Sequence, residues 1–350
     1  MSQLFEPIKV GQIELKNRII MSPLTRCRAS EGRVPNDLMV EYYTQRASAG
    51  LIISEATSIE PMGVGYPDTP GIWSDEQVEG WKKITKAVHD KGGKIVLQLW
   101  HVGRISDPVY LNGAQPVAPS AIAAQGHVSL VRPTKEFEKP RALETNEIKD
   151  IIKAYRLGAQ NAKKAGFDGV EIHGANGYLP DQFLQSSTNQ RDDEYGGSLE
   201  NRARFLLEAT DAAIDAWGAG RVGVHLSPRC DAHDMGDSNP SDTFAYVAKA
   251  LAEREIAFIF TREHFNEPGL TAQIKKQFGG TVIGNEALTK AQAEELIKND
   301  VIDAAAFGKD YIANPDLVER LEQDAKLNAL NTDTMYGSGK EGYTDYPFLD

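Results

Sequence analysis

The feature that most constrains this chain is a rhythm. From residue 17 onward, short β-branched runs alternate with amphipathic stretches, each pair punctuated by glycine, proline or a capping residue. The spacing predicts strands over 18–22, 51–56, 94–100, 169–173, 221–226, 257–261, 281–284 and 304–307. Helices are expected between them over 35–49, 74–91, 145–165, 199–216, 241–253, 270–278 and 289–299, with a last one over 314–324. Eight such units in 350 residues favour a closed (β/α)8 TIM barrel, one α/β domain spanning 1–350, over a doubly wound sheet. A doubly wound nucleotide fold would want a glycine fingerprint after its first strand. The nearest approach, Gly63-Val-Gly65, carries Asp68 where the third glycine belongs.

Three segments stand outside the rhythm. Residues 7–16 alternate apolar and polar around Gly11-Gln12, predicting a β-hairpin that caps one end of the barrel. Residues 103–144 carry five prolines and little periodicity, too long for an ordinary connection, so they are expected to form a lid or side wall over the site. The Gly- and Tyr-rich tail, 325–350, is expected to fold back over the site, a loosely docked terminus being the alternative.

Charge narrows the partners. With 50 acidic against 38 basic residues the formal net charge is −12, and no basic block tracks along the chain, which argues against nucleic acid and anionic membrane surfaces. The N-terminus has neither a basic region nor an apolar one, and Cys27 and Cys230 are too few for a disulfide framework, so a cytoplasmic protein is expected. Oligomeric state stays open between a monomer and a weak dimer.

The chemistry gathers where strands stop. Side-chain alternation puts Val96, Gln98 and Trp100 on one face, Glu171 and His173 on one face, and Gly223 and His225 on one face; in the first strand Ile19, Met21 and Pro23 share parity, with Thr25 just beyond. After the fourth strand, Gly174-Ala-Asn-Gly-Tyr178 delivers His173, Asn176 and Tyr178 together. An imidazole and a carboxamide can both donate to one oxygen on which negative charge develops. Tyr178, a phenol with an ordinary pKa near 10, suits proton donation to carbon rather than activation of water. Two donors and a phenolic acid describe reduction of an activated double bond, and hydride must then come from a redox cofactor. The turns Gly284-Asn285-Glu286 and Gly308-Lys309-Asp310 suit a phosphate, although Glu286 and Asp310 would repel one if they faced it, and the cofactor they indicate is FMN. A metal-dependent hydrolase built on His225, Cys230 and His233 is one rival, with irregular ligand spacing and no His-x-His pair ending the first strand, so no metal is expected. A non-catalytic FMN-binding protein is the other.

The residues then resemble the old yellow enzyme family of FMN-dependent ene-reductases, in its bacterial xenobiotic, nitrate-ester and N-ethylmaleimide reductase branch. The resemblance runs from Phe5 to Leu349 and rests on Asn17-Arg-Ile-Ile-Met-Ser-Pro-Leu-Thr-Arg26, Ser54-Glu-Ala-Thr57, Gln98-Leu-Trp-His-Val-Gly-Arg104, the His173–Tyr178 turn, the 185–202 segment and Gly342-Tyr-Thr-Asp-Tyr-Pro347. It implies that Pro23, Leu24, Thr25, Ala56 and Gln98 line the flavin, that Asn285, Gly308 and Lys309 meet its phosphate, and that Tyr66, Trp100 and Tyr336 wall the substrate pocket. It also implies His173 and Asn176 as the pair holding the substrate oxygen, Tyr178 as proton donor, NADPH or NADH as reductant, and electron-poor alkenes, nitro compounds or nitrate esters as substrates. Two departures stand out: His225 occupies the place where many relatives carry Arg beside flavin N1 and O2, with Arg229 as a second candidate nearby, and Gly308-Lys309 replaces Gly-Arg.

Overall fold

The computed structural model describes residues 2–229, 232–265 and 269–349. Eight parallel strands follow one another: β1 (Ile19–Met21), β2 (Leu51–Ile53), β3 (Ile95–Trp100), β4 (Gly169–Gly174), β5 (Val222–Leu226), β6 (Phe258–Arg262), β7 (Thr281–Asn285) and β8 (Ala304–Phe307). Each pairs with its chain neighbours, β8 pairs back to β1, and β2 pairs with β3, so the sheet closes on itself. Between the strands run α1 (Asp37–Gln45), α2 (Asp75–Asp90), α3 (Thr145–Lys164), α4 (Leu199–Trp217), α5 (Pro240–Ala252), α6 (Thr271–Phe278) and α7 (Lys290–Lys298), with α8 (Leu317–Glu322) after β8. The expected barrel is the observed one.

Capping explains why the helices begin where they do. Ser74 and Gln77 form a reciprocal capping box on α2, Thr289 and Gln292 another on α7, and Asn36, Ser198 and Asn239 accept from the first turns of α1, α4 and α5.

The helix expected over 35–49 spans only Asp37–Gln45, and two further boundaries move for a clear physical reason. The helix expected over 314–324 begins only at Leu317, because Pro315 lacks an N–H and holds Asn314 extended (φ −129°), and a separate short helix, Lys309–Ala313, precedes the break. Strand β2 ends at Ile53 rather than 56; the Ser54 hydroxyl accepts from the Gln98 N–H, and the chain rejoins β3 at Thr57–Ser58.

Parity sorts the interior. Ile20, Leu51, Ile53, Val96, Phe258, Phe260 and Ile283 fill the lumen, whereas Ile19 and Met21 face the surrounding helices. The face that Ile19 shares with Met21 is therefore the outer one. An all-apolar strand buried on both sides offers no alternation from which its inner face could be read.

The hairpin, Ile8–Val10 paired with Ile13–Leu15, closes the bottom of the barrel, with Val10, Ile13 and Leu15 packed on the lumen residues. A two-stranded hairpin is marginal alone. Its three buried side chains, at roughly 1.5–3 kcal/mol each, are what keep it docked. Gly11 makes the fit possible, since it turns at φ +57° and a Cβ there would lie 2.4 Å from the Gly220 carbonyl oxygen and 2.6 Å from the Ala257 Cβ. Gly11→Ala is expected to cost about 1–3 kcal/mol through overpacking and backbone strain. Urea unfolding of the pure protein checks this, and an unchanged midpoint would show that the hairpin does not support the barrel.

Candidate active site

Strand β4 places His173 directly across from His225 on β5, and the chain then turns sharply. Asn176 (φ 59°) and Gly177 (φ 76°) both adopt left-handed conformations, which asparagine tolerates better than most residues and glycine freely. The turn is held from behind. Asn176 N–H donates to the Ser227 hydroxyl at 2.7 Å, Gly177 N–H to the buried Asp181 carboxyl at 2.9 Å, and the Asn176 carbonyl meets His233 Nδ1 at 2.7 Å. Tyr178 follows, 8% exposed, with its hydroxyl 2.8 Å from that of Tyr66.

Below this turn the lumen becomes polar. Gln98 Nε2 donates to Glu171 Oε2 at 2.7 Å and lies 3.2 Å from His225 Nδ1. An amide N–H can only donate, so the His225 proton sits on Nε2. The rings of His173 and His225 stack 5.1 Å apart and nearly parallel. Burial governs the charge states here. It pushes Glu171 up to about 8 and His173 down to about 3, with Arg262 and His233 adding to the latter. His225 is likewise held well below its ordinary value by burial, His173 and Arg262. Tyr178 is raised well above 10 by burial first and then by Tyr66. At neutral pH the site therefore presents two uncharged imidazoles and a protonated phenol.

Above these groups lies a cavity of about 900 Å³. Pro23, Leu24, Thr25, Tyr66, Asn176, Tyr178, His225, Asn285, Gly308, Lys309 and Tyr336 all line it. Ala56, Gln98, Trp100 and His173 stand just behind, each buried: Trp100 stacks on Tyr66 at 5.3 Å and meets Tyr178 edge-on at 5.1 Å, and Ala56 packs with them. Of the two residues the sequence offers beside flavin N1, His225 lines the cavity, whereas Arg229 is exposed and is not among the lining residues.

The wall fits a flavin mononucleotide in size and in chemistry. His225 Nε2, a donor by the tautomer just argued, is buried without a protein partner, as is His173 Nδ1. At the far end a Cβ on Gly308 would meet only side chains, none nearer than 3.6 Å, leaving its backbone open to close approach. Glu286 does not confront that end as a free charge, because Arg262 pairs with both its oxygens at 2.7 and 2.9 Å. Burial raises the Asp310 carboxyl. Asn285 turns its amide to the Ala306 carbonyl at 2.8 Å, so what it offers the cavity is chiefly its remaining surface.

Sequence reasoning missed Arg262. It ends β6 two residues after Phe260, hence on the same inward parity, and its Nη1 donates to Asn176 Oδ1 at 2.9 Å. The signal was the one applied to other strands, a polar residue at the carboxyl end, but a strand boundary drawn at 261 left it in the loop.

Distant segments are tied to this mouth by buried guanidinium groups. Arg26 donates to the carbonyls of Met335 (3.1 Å) and Gly342 (2.8 Å), Arg28 to that of Thr334 (2.8 Å), and Tyr343 stacks on Tyr42 at 4.1 Å, which brings Met335 and Tyr336 to the cavity rim. Arg104 donates to the Ile122 carbonyl (3.2 Å) and to those of His233 (2.9 Å) and Asp234 (3.1 Å), and Ala124 and Phe137 of the 103–144 segment pack against Trp100 and Tyr178. Cys27, buried and pushed up to about 12, is an inert packing residue.

The metal reading loses its ligand set. His225 points into the lumen against Gln98, His233 is committed to the Asn176 carbonyl, and Cys230 lies outside the described residues. Among the described residues no group of three or more His, Cys, Asp or Glu could hold an ion, and no helix is long and apolar enough to cross a membrane.

Known proteins resemble this chain in both sequence and overall fold. A model of the NADH:flavin oxidoreductase / NADH oxidase family matches residues 3–328. The chain is 43% identical to 12-oxophytodienoate reductase 1 of Oryza sativa subsp. japonica over 362 residues, covering 99% of this chain and 93% of the relative. Morphinone reductase in complex with tetrahydroNAD superposes with a TM-score of 0.96 at 47% identity, over 99% of this chain and 98% of that one. The old yellow enzyme homologue from Zymomonas mobilis gives 0.96 at 46%, over 99% of each. With a fold in common and 43–47% identity over nearly its whole length, this chain belongs to the NADH:flavin oxidoreductase / NADH oxidase family, among the old yellow enzyme homologues.

Proposed function

We propose that this flavin-dependent oxidoreductase uses NADPH or NADH to reduce electron-poor alkenes such as enones and maleimides, and nitro compounds or nitrate esters, with Tyr178 as the proton donor. One observation carries the reading: an uncharged histidine, a carboxamide and a protonated phenol line a cavity that also holds the Gly308-Lys309 turn, with a second uncharged histidine, His173, stacked on His225 just behind. When bound, FMN would supply the hydride chemistry that no side chain can, linking oxidation of the nicotinamide to reduction at the substrate's β-carbon. Pro23, Leu24, Thr25, Ala56, Gln98 and His225 would hold its ring system, and Asn285, Gly308 and Lys309 its phosphate.

The chain's own residues supply the rest. His173 and Asn176 donate to the carbonyl or nitro oxygen, where their hydrogen bonds strengthen as negative charge develops. A neutral imidazole is the right form for this, since it donates without contributing a charge that would have to be desolvated. Tyr178 gives its proton to the α-carbon. Its hydroxyl is aligned by Tyr66, through which the resulting phenolate regains a proton. Tyr66, Trp100 and Tyr336 shape the space around the substrate. The 103–144 segment walls the Tyr178 side, and the tail after 325 brings Met335 and Tyr336 to the rim; both belong to the single domain. Cytoplasmic location accords with this use of reduced nicotinamide.

Purification provides the first test. A yellow protein, bleached anaerobically by NADPH or NADH and recoloured by an enone, is expected. A colour that never bleaches would make the chain a flavin-binding protein without this activity. Tyr178→Phe is expected to slow the recolouring by an enone roughly 10²-fold or more while the bleaching rate changes little; stopped-flow absorbance separates the two. Slower bleaching with unchanged recolouring would remove Tyr178 from the proposed role.

The charge states set the pH dependence. His173 binds a proton only near pH 3, so its ring stays neutral throughout the range in which an unperturbed histidine, near 6.5, would titrate. The recolouring rate is therefore expected to show no break near pH 6.5 that His173→Asn abolishes. Such a break in a stopped-flow pH series would mean that His173 works as an imidazolium.

A further inference from the structure

The cavity has a cation on its wall that is neither of the two candidates the sequence offered, His225 and Arg229. His225 stands on β5 where many relatives have arginine, and it cannot take over a cationic role: it is 3% exposed, its Nδ1 faces the Gln98 amide, and its ring packs against Phe260 at 4.4 Å. One strand over, Arg262 reaches the same wall. Register sets Leu226 beside Thr261 and His225 beside Phe260, so Arg262 emerges one level above the His225 ring, at the mouth. Its guanidinium is fixed from both sides, bidentate to Glu286 and single to Asn176 Oδ1 at 2.9 Å. The other cations on the cavity wall lie elsewhere: Lys290 pairs with Asp324, Arg320 with Asp316, and Lys309 follows Gly308.

We propose that Arg262, held by Glu286, is the positioning cation of this site: it replaces from β6 the positive charge missing from β5, and it fixes Asn176 so that only the amide N–H groups face substrate. The second part follows from donor chemistry. Arginine has no acceptor, so the atom of Asn176 it binds must be the oxygen, and the Nδ2 hydrogens are what remain to be offered. The first part rests on the flavin reading above. A reduced flavin carries negative charge over N1 and C2=O, and a guanidinium close to that edge stabilises it. Glu286 opposes the effect partly while keeping the guanidinium in place, so the two residues should pull in opposite directions.

That opposition makes the test. The FMN-loaded protein is prepared as wild type, Arg262→Gln, Arg262→Lys and Glu286→Gln, and two quantities are read without turnover: the flavin midpoint potential, and the affinity of the oxidised flavin for sulfite. Sulfite adds at N5 through its sulfur lone pair and leaves negative charge at N1 and C2=O, so its affinity reports positive charge there. Arg262→Gln is expected to make the potential more negative and to weaken sulfite binding about tenfold or more. Glu286→Gln should shift both the other way. Arg262→Lys keeps the charge but loses the fork, so it should hold the potential while raising the KM for an enone more than it lowers kcat. Unchanged potential and sulfite affinity in Arg262→Gln, or shifts of the same sign in Arg262→Gln and Glu286→Gln, would overturn the proposal. If Arg262→Gln fails to retain flavin, Glu286→Gln decides alone, and a potential that stays put or falls overturns it. A wild-type protein that never binds FMN would instead defeat the underlying flavin reading.

Discussion

Desolvation at the top of the barrel is the constraint on which the rest of the site depends. Glu171, His173 and His225 are buried in one polar layer, and burial favours the uncharged form of each. A charged imidazole or carboxylate there would need partners that the lumen, filled below by Phe258, Phe260 and aliphatic side chains, does not supply. The neutral layer can remain buried because Gln98 bridges Glu171 and His225, leaving Glu171 Oε1, His173 Nδ1 and His225 Nε2 without a protein partner. A floor of this kind suits a planar, polarizable group laid on it.

The arginines at the mouth are paired or tied to backbone. Arg26 and Arg28 spend their donors on the tail, Arg104 on the long segment and the loop after β5, and Arg262 on Glu286 and Asn176. In each case the planar fork meets several acceptors at once, a task for which lysine is poorly shaped. These contacts bring segments more than a hundred residues apart to the same rim. The loops can therefore be long and irregular while the atoms they present remain fixed by a rigid sheet.

Much of this was legible in the sequence. Period and capping gave the helices and strands to within a few residues, and the glycine-bounded turn after the fourth strand announced His173, Asn176 and Tyr178. The misreadings have physical causes. β1 is apolar on both faces, so its inner side was not visible; Pro315 broke a helix that periodicity alone carried through; and Arg262 fell one residue past a predicted strand end.

By itself the sequence determined the barrel, the residues at its mouth and the kind of chemistry they can perform, because each follows from local propensity and from the side-chain alternation of a strand. Only the tertiary structure decided which of those groups are charged and which one supplies the cation. Protonation is set by how much water and how many neighbours a group retains after closure, as the shift of His173 to about 3 illustrates. The bond from Arg262 to Asn176 joins residues 86 positions apart and exists only because β4 and β6 end at the same rim.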